Sequence, residues 1–242
     1  MTSLVESVNL SPVKSLGKLF KESFGFALRL IRQQAGPLFI LFIISCALNL
    51  TIQDAMRDGP KLPQGQTIAL YVALGIWSLI EGAWLILILS WAVPVVRPPT
   101  AAAVLKDPFS EPYVNNFIGE YFRMLAQILL YALLLLIPGF IRHMRLIFVP
   151  YVALFSKSYR ADEVDALKLS EKLMSGKMAR LFAVIIGFLV IGIPGSALLS
   201  INEDSLILSL IQFTSTFFIS IWGYALIFQM FETAMEELTE NP

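Results

Sequence analysis

The sequence has very few of the residues on which common kinds of enzyme chemistry depend. Its 242 residues include one cysteine, Cys46, and one histidine, His143. One cysteine cannot form a disulfide within the chain, and one histidine argues against a His-rich metal site or a Ser-His-acid triad. The motifs GxxxxGK[ST], GxGxxG, HExxH, CxxC and GxSxG are absent. We therefore predict no metal and no cofactor, and we favour a function other than catalysis.

Charged residues are scarce as well. Asp, Glu, Lys and Arg make up 15% of the chain and apolar residues 57%, whereas an average soluble domain is about 25% charged. A water-soluble fold of this size would lack the polar residues to cover its surface. The 18 basic residues equal the 18 acidic ones in number, so no net positive field predicts nucleic acid as a partner.

Long apolar runs replace the missing charges. A helix that crosses a bilayer needs about 20 mostly apolar residues, because lipid offers no partners to the backbone. The last two apolar runs carry no charge, and the second carries only Glu81. The predicted crossings are residues 36–52, 67–96, 117–138, 140–156, 181–199 and 206–231.

The orientation of the chain is predicted from its basic residues. Cytoplasmic loops are enriched in Lys and Arg. If residues 140–156 cross, 14 basic residues lie on the face of the N-terminus and four on the other face, whereas without that crossing the numbers are eight and ten. We therefore predict one all-α membrane domain over residues 1–242, with six transmembrane helices and both termini in the cytoplasm.

Two further segments, residues 12–34 and 162–175, are amphipathic. Their apolar residues recur at steps of three and four, so we predict helices that lie along the cytoplasmic surface. Asp162 is the predicted N-cap of the second, which should break at Ser175-Gly176. The predicted contacts to anionic lipid are Lys14, Lys18, Lys21, Arg29 and Arg32 in the first, and Lys168, Lys172, Lys177 and Arg180 in or after the second.

Glu81 is the most informative residue, because it lies near the middle of the run 67–96. A charge at that depth costs roughly 2.5–3.5 kcal/mol, so we expect Glu81 to be neutral or paired. Arg142 and Arg145, which flank His143, are the nearest basic residues in predicted depth. These four residues form either a polar site for an anionic headgroup or a proton, or a structural ion pair that fixes helix register.

Other polar or helix-breaking residues lie within the predicted crossings. Asn49, Gln127 and Gln212 are expected to form hydrogen bonds between helices. Pro150 and Pro194 each lack a backbone donor inside a predicted crossing, so each should kink its helix.

The arrangement resembles a loose group of six-helix bacterial inner-membrane proteins, which includes YciC-like proteins and the membrane domain of some glycerophosphodiester phosphodiesterases. Three features carry the resemblance: the basic, Phe-rich helix before the first crossing, Arg145 followed by Pro150, and Ala166-Leu167-x-x-Ser170-x-x-Leu173-x-x-Gly176. The resemblance implies a bacterial inner-membrane location and a connection with lipid or envelope metabolism. It implies no catalytic residue, since the phosphodiesterase domain of those proteins is separate.

Two functions follow as hypotheses. The first is a membrane protein that binds anionic lipids, a partner membrane protein or a second copy of itself, and acts in envelope or membrane homeostasis. The alternative is a small transporter or permease subunit with a polar site around Glu81. A cavity that reaches Glu81 would favour the alternative, whereas a tightly packed interior would favour the first.

Overall fold

The computed structural model describes residues 16–57, 64–96, 111–156, 159, 163–199 and 206–240. Within these ranges the chain is helical and has no strand, so the all-α prediction is confirmed for them. The helices are α1 (Leu16–Gln33), α2 (Ala35–Arg57), α3 (Gln64–Val96), α4 (Glu111–Leu134), α5 (Leu136–Leu146), α6 (Val149–Phe155), α7 (Ala166–Met174), α8 (Met178–Leu199) and α9 (Leu206–Glu240).

Four of the described segments are long and apolar enough to cross a membrane, namely Ile68–Ile88, Val114–Leu134, Leu136–Phe155 and Ile207–Leu238. A fifth is possible if α1 and α2, which bend by 93° at Gln34, form one broken span. These apolar helices are the mark of a membrane protein. They bear out a membrane fold, and four or five candidate spans among the described residues leave the six predicted crossings unconfirmed.

Helix α1 is not a simple surface helix. Its apolar stripe, which includes Leu19, Phe26 and Leu30, is buried against α9. The indole Nε1 of Trp222 on α9 donates a 2.9 Å hydrogen bond to Ser23 Oγ. The helix predicted for residues 12–34 is present over its described part, and its apolar face packs on protein; its place at the cytoplasmic surface stays a prediction.

The segment predicted as one crossing from 140 to 156 is two helices. Between α5 and α6 the chain turns at Ile147 and Phe148, and Pro150 lies in the first turn of α6. A proline is tolerated there, since the first backbone N–H groups of a helix have no partner within it. Pro150 thus begins a helix and does not kink one. Pro194 lies inside the continuous α8, and its side chain is outside the described residues.

The N-cap of α7 is not the predicted residue. Asp165 caps α7, because its carboxylate accepts hydrogen bonds from the N–H groups of Leu167 and Lys168. The predicted cap, Asp162, lies outside the described residues. The predicted break at Ser175-Gly176 is a turn in which Gly176 has φ +75°, a conformation that glycine adopts without steric cost.

In the core, the first helix, α1, packs against the last, α9. Helix α9 packs against α1, α8, α3 and α7, and α3 packs against α2. A ring cluster of Phe148, Tyr151, Phe228 and Phe231 seals α6 against α9. Helices α4 and α5 form an antiparallel hairpin at one side of this bundle. The polar side chains described next lie between α2, α3 and α9.

A polar cavity around Glu81

A cavity of about 400 Å³ lies between α2, α3 and α9. Glu81, Ser78 and Gly82 line it from α3, and Asn49 lines it from α2. The remaining wall is one face of α9, whose polar side chains recur at steps of three and four. These are Ser209, Gln212, Thr216, Ser220 and Tyr224. The spacing puts them on a single helix face, so the sequence of α9 builds a polar stripe inside an otherwise apolar span.

Several polar side chains of the cavity already use a donor in a hydrogen bond to the backbone of their own helix. The hydroxyls of Ser78 and Ser220 donate to the carbonyls of Leu74 and Thr216, at 3.0 Å each. Asn49 Nδ2 donates to the Ser45 carbonyl at 2.9 Å. Once these donors are used, the hydroxyls of Ser78 and Ser220 have only lone pairs for a bound molecule, whereas the Asn49 amide keeps its oxygen as an acceptor and one N–H as a donor.

The Glu81 carboxylate is the charged group of the cavity. It is half-buried, and the side chains of Ser45 and Trp77 are its polar neighbours. Among the described residues that line the cavity, none is basic. The carboxylate, together with the hydroxyl lone pairs of Ser78 and Ser220, makes the cavity electronegative, which suits a cation or a solute with several N–H donors.

Two tyrosines pack against α3 beside the cavity, and one of them, Tyr224, lines it. Tyr224 approaches α3 at Gly82, where a Cβ atom would lie only 2.5 Å from the Tyr224 hydroxyl oxygen. The Tyr121 hydroxyl donates to the Leu79 carbonyl at 3.1 Å, which ties α4 to the same part of α3. Because Gly82 has no Cβ atom, the Tyr224 side chain can pack closely against α3, and its phenol reaches the level of Glu81.

The structure separates Glu81 from the basic residues predicted to join it. Arg142 on α5 bonds the Glu171 carboxylate of α7, and its Nε donates to Gln127 Oε1 at 3.1 Å. The guanidinium also lies 5.4 Å from the centre of the Tyr131 ring. Within the described chain, Glu81 and Arg142 thus belong to two sites and form no pair with each other. The reason is that α5 packs mainly against α4 and α7.

Arg145 and His143 also lie in the second site. The Arg145 side chain is exposed, while its backbone carbonyl accepts a 2.9 Å hydrogen bond from Ser170 Oγ of α7. His143 is exposed on α5. Neither residue lines the cavity around Glu81.

A third polar cluster ties α4 to the cap of α7. Arg123 Nη2 lies 2.7 Å from Asp165 Oδ2, and Arg123 Nη1 lies 3.4 Å from Glu120 Oε1. The Tyr159 hydroxyl donates to Glu120 Oε1 at 3.3 Å. Burial raises the pKa of the Asp165 carboxyl, but hydrogen bonds from Arg123 and the α7 backbone outweigh it and bring the pKa below its ordinary value.

The predicted lipid-contact residues are distributed over two exposed surfaces. Lys14 lies outside the described residues. Of this predicted set, the structure exposes Lys18, Lys21, Arg29 and Arg32 on α1 and Lys168 and Lys172 on α7. Lys177 instead lies 2.8 Å from Glu237 of α9, and Arg180 is half-buried.

These features describe an all-helical protein of several apolar helices with a polar cavity inside the bundle. No protein-family model, no curated protein and no solved structure matches the chain. The described residues contain no group of three or more His, Cys, Asp or Glu side chains that could hold a metal ion.

Most of the cavity was missed by the sequence analysis. Glu81 was found because a charge in an apolar run is conspicuous, and Asn49 and Gln212 were interpreted as hydrogen-bonding residues between helices. Ser209, Thr216 and Ser220 were not considered, although they share the helical spacing of Gln212. That spacing is the signal that would have predicted a polar face on the last helix.

Proposed function

We propose that the protein is a membrane transport protein, or the membrane subunit of one, that binds a small cationic solute in the cavity around Glu81. The observation that supports this proposal is the cavity itself, whose wall carries one carboxylate and the hydroxyls of Ser78 and Ser220, which already donate to their own helices. Pockets of roughly 300–1,000 Å³ are typical of small-molecule sites. A cavity near the lower end of that range suits a solute such as a small amine or a hydrated monovalent cation.

The energetics favour a positively charged solute. A carboxylate held within an apolar span costs roughly 2.5–3.5 kcal/mol when it lacks a counter-charge. No basic side chain offsets that cost among the described residues of the cavity wall. A bound cation supplies the missing positive charge, so Glu81 attracts positively charged solutes and selects them over anions.

The orientation and location belong to the same proposal. We place both termini in the cytoplasm and the protein in a bacterial inner membrane, as the basic residues and the family resemblance predict. The basic residues support this orientation whether the α4–α6 segment crosses twice or returns to the face that it entered.

The test is solute binding by the purified protein in lipid nanodiscs. We would measure calorimetric binding of sodium, potassium, ammonium and methylammonium to the wild type and to Glu81→Gln. The matched control is Glu163→Gln, since Glu163 is an exposed acid outside the cavity. A charge-assisted hydrogen bond contributes about 1.5–3 kcal/mol, so Glu81→Gln should weaken binding roughly 10- to 100-fold.

The control should bind as the wild type does. The proposal fails if no solute of the panel binds to the wild type. It also fails if Glu81→Gln and Glu163→Gln bind with equal affinity, because the Glu81 carboxylate would then not contact the solute.

A second candidate function is recognition of anionic lipid by α1. The exposed face of this helix carries Lys21, Arg29 and Arg32 beside two apolar side chains, Phe24 and Leu28, that are 40% and 47% exposed. Each basic residue near an anionic surface contributes about 1 kcal/mol. Charge reversal of these three residues should reduce the amount of phosphatidylglycerol that co-purifies, measured against phosphatidylcholine by mass spectrometry, and an unchanged ratio would exclude this function.

A further inference from the structure

The hydroxyl of Tyr224 is a hydrogen-bond donor that the described part of the chain leaves unused. The two neighbouring tyrosines are both bonded, since Tyr121 donates to the Leu79 carbonyl at 3.1 Å and Tyr151 donates to the Tyr224 carbonyl at 3.2 Å. The Tyr224 hydroxyl itself makes no hydrogen bond with any described residue. Tyrosine hydroxyls inside a protein usually have a partner, so this donor is available to a bound molecule.

This donor lies in the same cavity as the Glu81 carboxylate. Tyr224 lines the cavity together with Glu81 and Gly82, and its hydroxyl oxygen lies 2.5 Å from the place that a Gly82 Cβ atom would take. The oxygen is not sealed off, because the sealed side-chain oxygens without a partner in the described ranges belong to Glu120 and Gln229. A molecule in the cavity therefore meets a carboxylate and a phenol O–H on neighbouring parts of its wall.

The phenol is held in position before anything binds. Gly82 leaves the space against α3 that the ring of Tyr224 fills. On the other side, the hydrogen bond from Tyr151 fixes the backbone of α9 at Tyr224 to helix α6. A donor that is already in place loses little conformational entropy when a solute binds to it.

A solute without an acceptor would leave this donor unpaired. In an aqueous cavity water accepts the hydrogen bond of a phenol, and a solute that takes the place of that water must offer an acceptor of its own. A purely aliphatic amine cannot do so and loses affinity for that reason. Asn49 also keeps one N–H for a bound molecule, so the wall offers donors as well as the carboxylate.

The acceptor on the solute has to be uncharged. None of the described residues that line the cavity is basic. A carboxylate or phosphate on the solute would thus lie near Glu81 without a counter-charge, and two negative charges repel each other strongly where water is scarce. A hydroxyl or ether oxygen accepts the hydrogen bond of Tyr224 without this repulsion.

From this arrangement we infer that the solute is a small amino alcohol or a similar amine with a neutral oxygen. Its ammonium group binds the Glu81 carboxylate, and its oxygen accepts a hydrogen bond from the Tyr224 hydroxyl. The inference rests on the proposed function, because it specifies the solute of the same cavity. Glu81 then selects for positive charge, and Tyr224 selects amino alcohols over alkylamines.

The test compares ethanolamine with propylamine in the nanodisc binding assay. The two molecules have the same number of non-hydrogen atoms and the same charge, and they differ by a hydroxyl in place of a methyl group. The wild type should bind ethanolamine about 10-fold more tightly than propylamine, which is the size expected for one hydrogen bond to a partly buried donor. This ratio tests the inference without any variant.

Tyr224→Phe removes the hydroxyl and keeps the ring. The ratio between the two amines should fall to about one, mainly because ethanolamine binds less tightly. The matched control is Tyr121→Phe, since the Tyr121 hydroxyl is already bonded to the Leu79 carbonyl and Tyr121 does not line the cavity. The control should keep the ratio of the wild type.

Methylammonium separates this inference from the proposed function, because it carries the positive charge without an oxygen. If methylammonium binds to the wild type and the ratio of ethanolamine to propylamine is one, the inference is overturned and the proposed function stands. A wild-type ratio that persists in Tyr224→Phe would also overturn it, because the selecting group would then not be the phenol. If neither methylammonium nor the two amines bind, the proposed function fails and the inference fails with it.

Discussion

Replacing Gly139 by alanine should separate the two arms of the α4–α5 hairpin. The added Cβ atom would lie 2.7 Å from the Cα and Cβ atoms of Ala132 and 2.8 Å from its backbone nitrogen. Carbon atoms pack at about 3.5–4.0 Å, so the arms must move apart by about 1 Å. Two of the three contacts are backbone atoms, and a change of side-chain rotamer therefore cannot relieve them.

The magnitude follows from two opposing effects. Overpacking of this kind costs about 1–3 kcal/mol, and the better helix propensity of alanine returns up to about 1 kcal/mol. The net loss of about 1–2 kcal/mol corresponds to a melting temperature lower by roughly 2–8 °C, at about 2–4 °C per kcal/mol for a chain of this size. Thermal unfolding in detergent, followed by fluorescence-detected size exclusion, measures this difference.

Gly119→Ala is the matched control. Gly119 lies on α4 of the same hairpin, and a Cβ atom there would meet no heavy atom within 4 Å. The control should melt at the wild-type temperature or slightly above it, because only the helix propensity changes. Equal melting temperatures for the two variants would refute the close contact between the arms. Adding Ala132→Gly to Gly139→Ala should recover only part of the loss, since the Cα and nitrogen contacts remain.

Three further changes test other contacts. Asp165→Ala removes the N-cap of α7 and should lower the stability by about 1 kcal/mol at neutral pH. Because the pKa of Asp165 is lowered in the folded protein, its stabilising contribution is complete above the ordinary pKa of 3.8 and is lost as the pH falls through the lowered value. The difference in melting temperature between the variant and the wild type should therefore shrink below about pH 4. Ser23→Ala leaves the Trp222 indole without its acceptor and should cost about 1–3 kcal/mol with a shift in tryptophan emission, whereas unchanged emission would contradict the bond. Gly82→Ala should displace the Tyr224 phenol and weaken solute binding in the nanodisc assay, and wild-type affinity would show that the phenol does not shape the cavity.

Hydropathy predicted the apolar helices because burial in lipid depends on composition over a whole run. It did not predict where the runs break. The extended Leu135 and the turn at Ile147 interrupt apolar sequence, and no glycine, proline or charge stands at either position. Both breaks depend on packing: the first brings Gly139 against Ala132, and the second turns α6 toward the rings of α9.

The candidate site was predictable only in part, for a related reason. Glu81 is a charge among apolar residues, and its cost in lipid makes it visible from the sequence. Ser78 and Ser220 are not visible in this way, because each donates to the carbonyl four residues earlier and so lies in an apolar helix at little cost. The partner of Arg142 was assigned from predicted depth alone. Depth does not say which helices are neighbours, and the neighbour proved to be α7 with Glu171.

The docking of α1 on α9 sets an order for biogenesis. Ser23 and Trp222, which are hydrogen-bonded, stand 199 positions apart in the chain. A ribosome that adds about 5–20 residues per second needs on the order of 10–40 seconds to make that stretch. During this interval the newly made first helix has α2 and α3 beside it, but α9, its main packing partner, is still missing. Until α9 is made, the amphipathic α1 can lie in the headgroup region of the bilayer, and it packs against α9 afterwards.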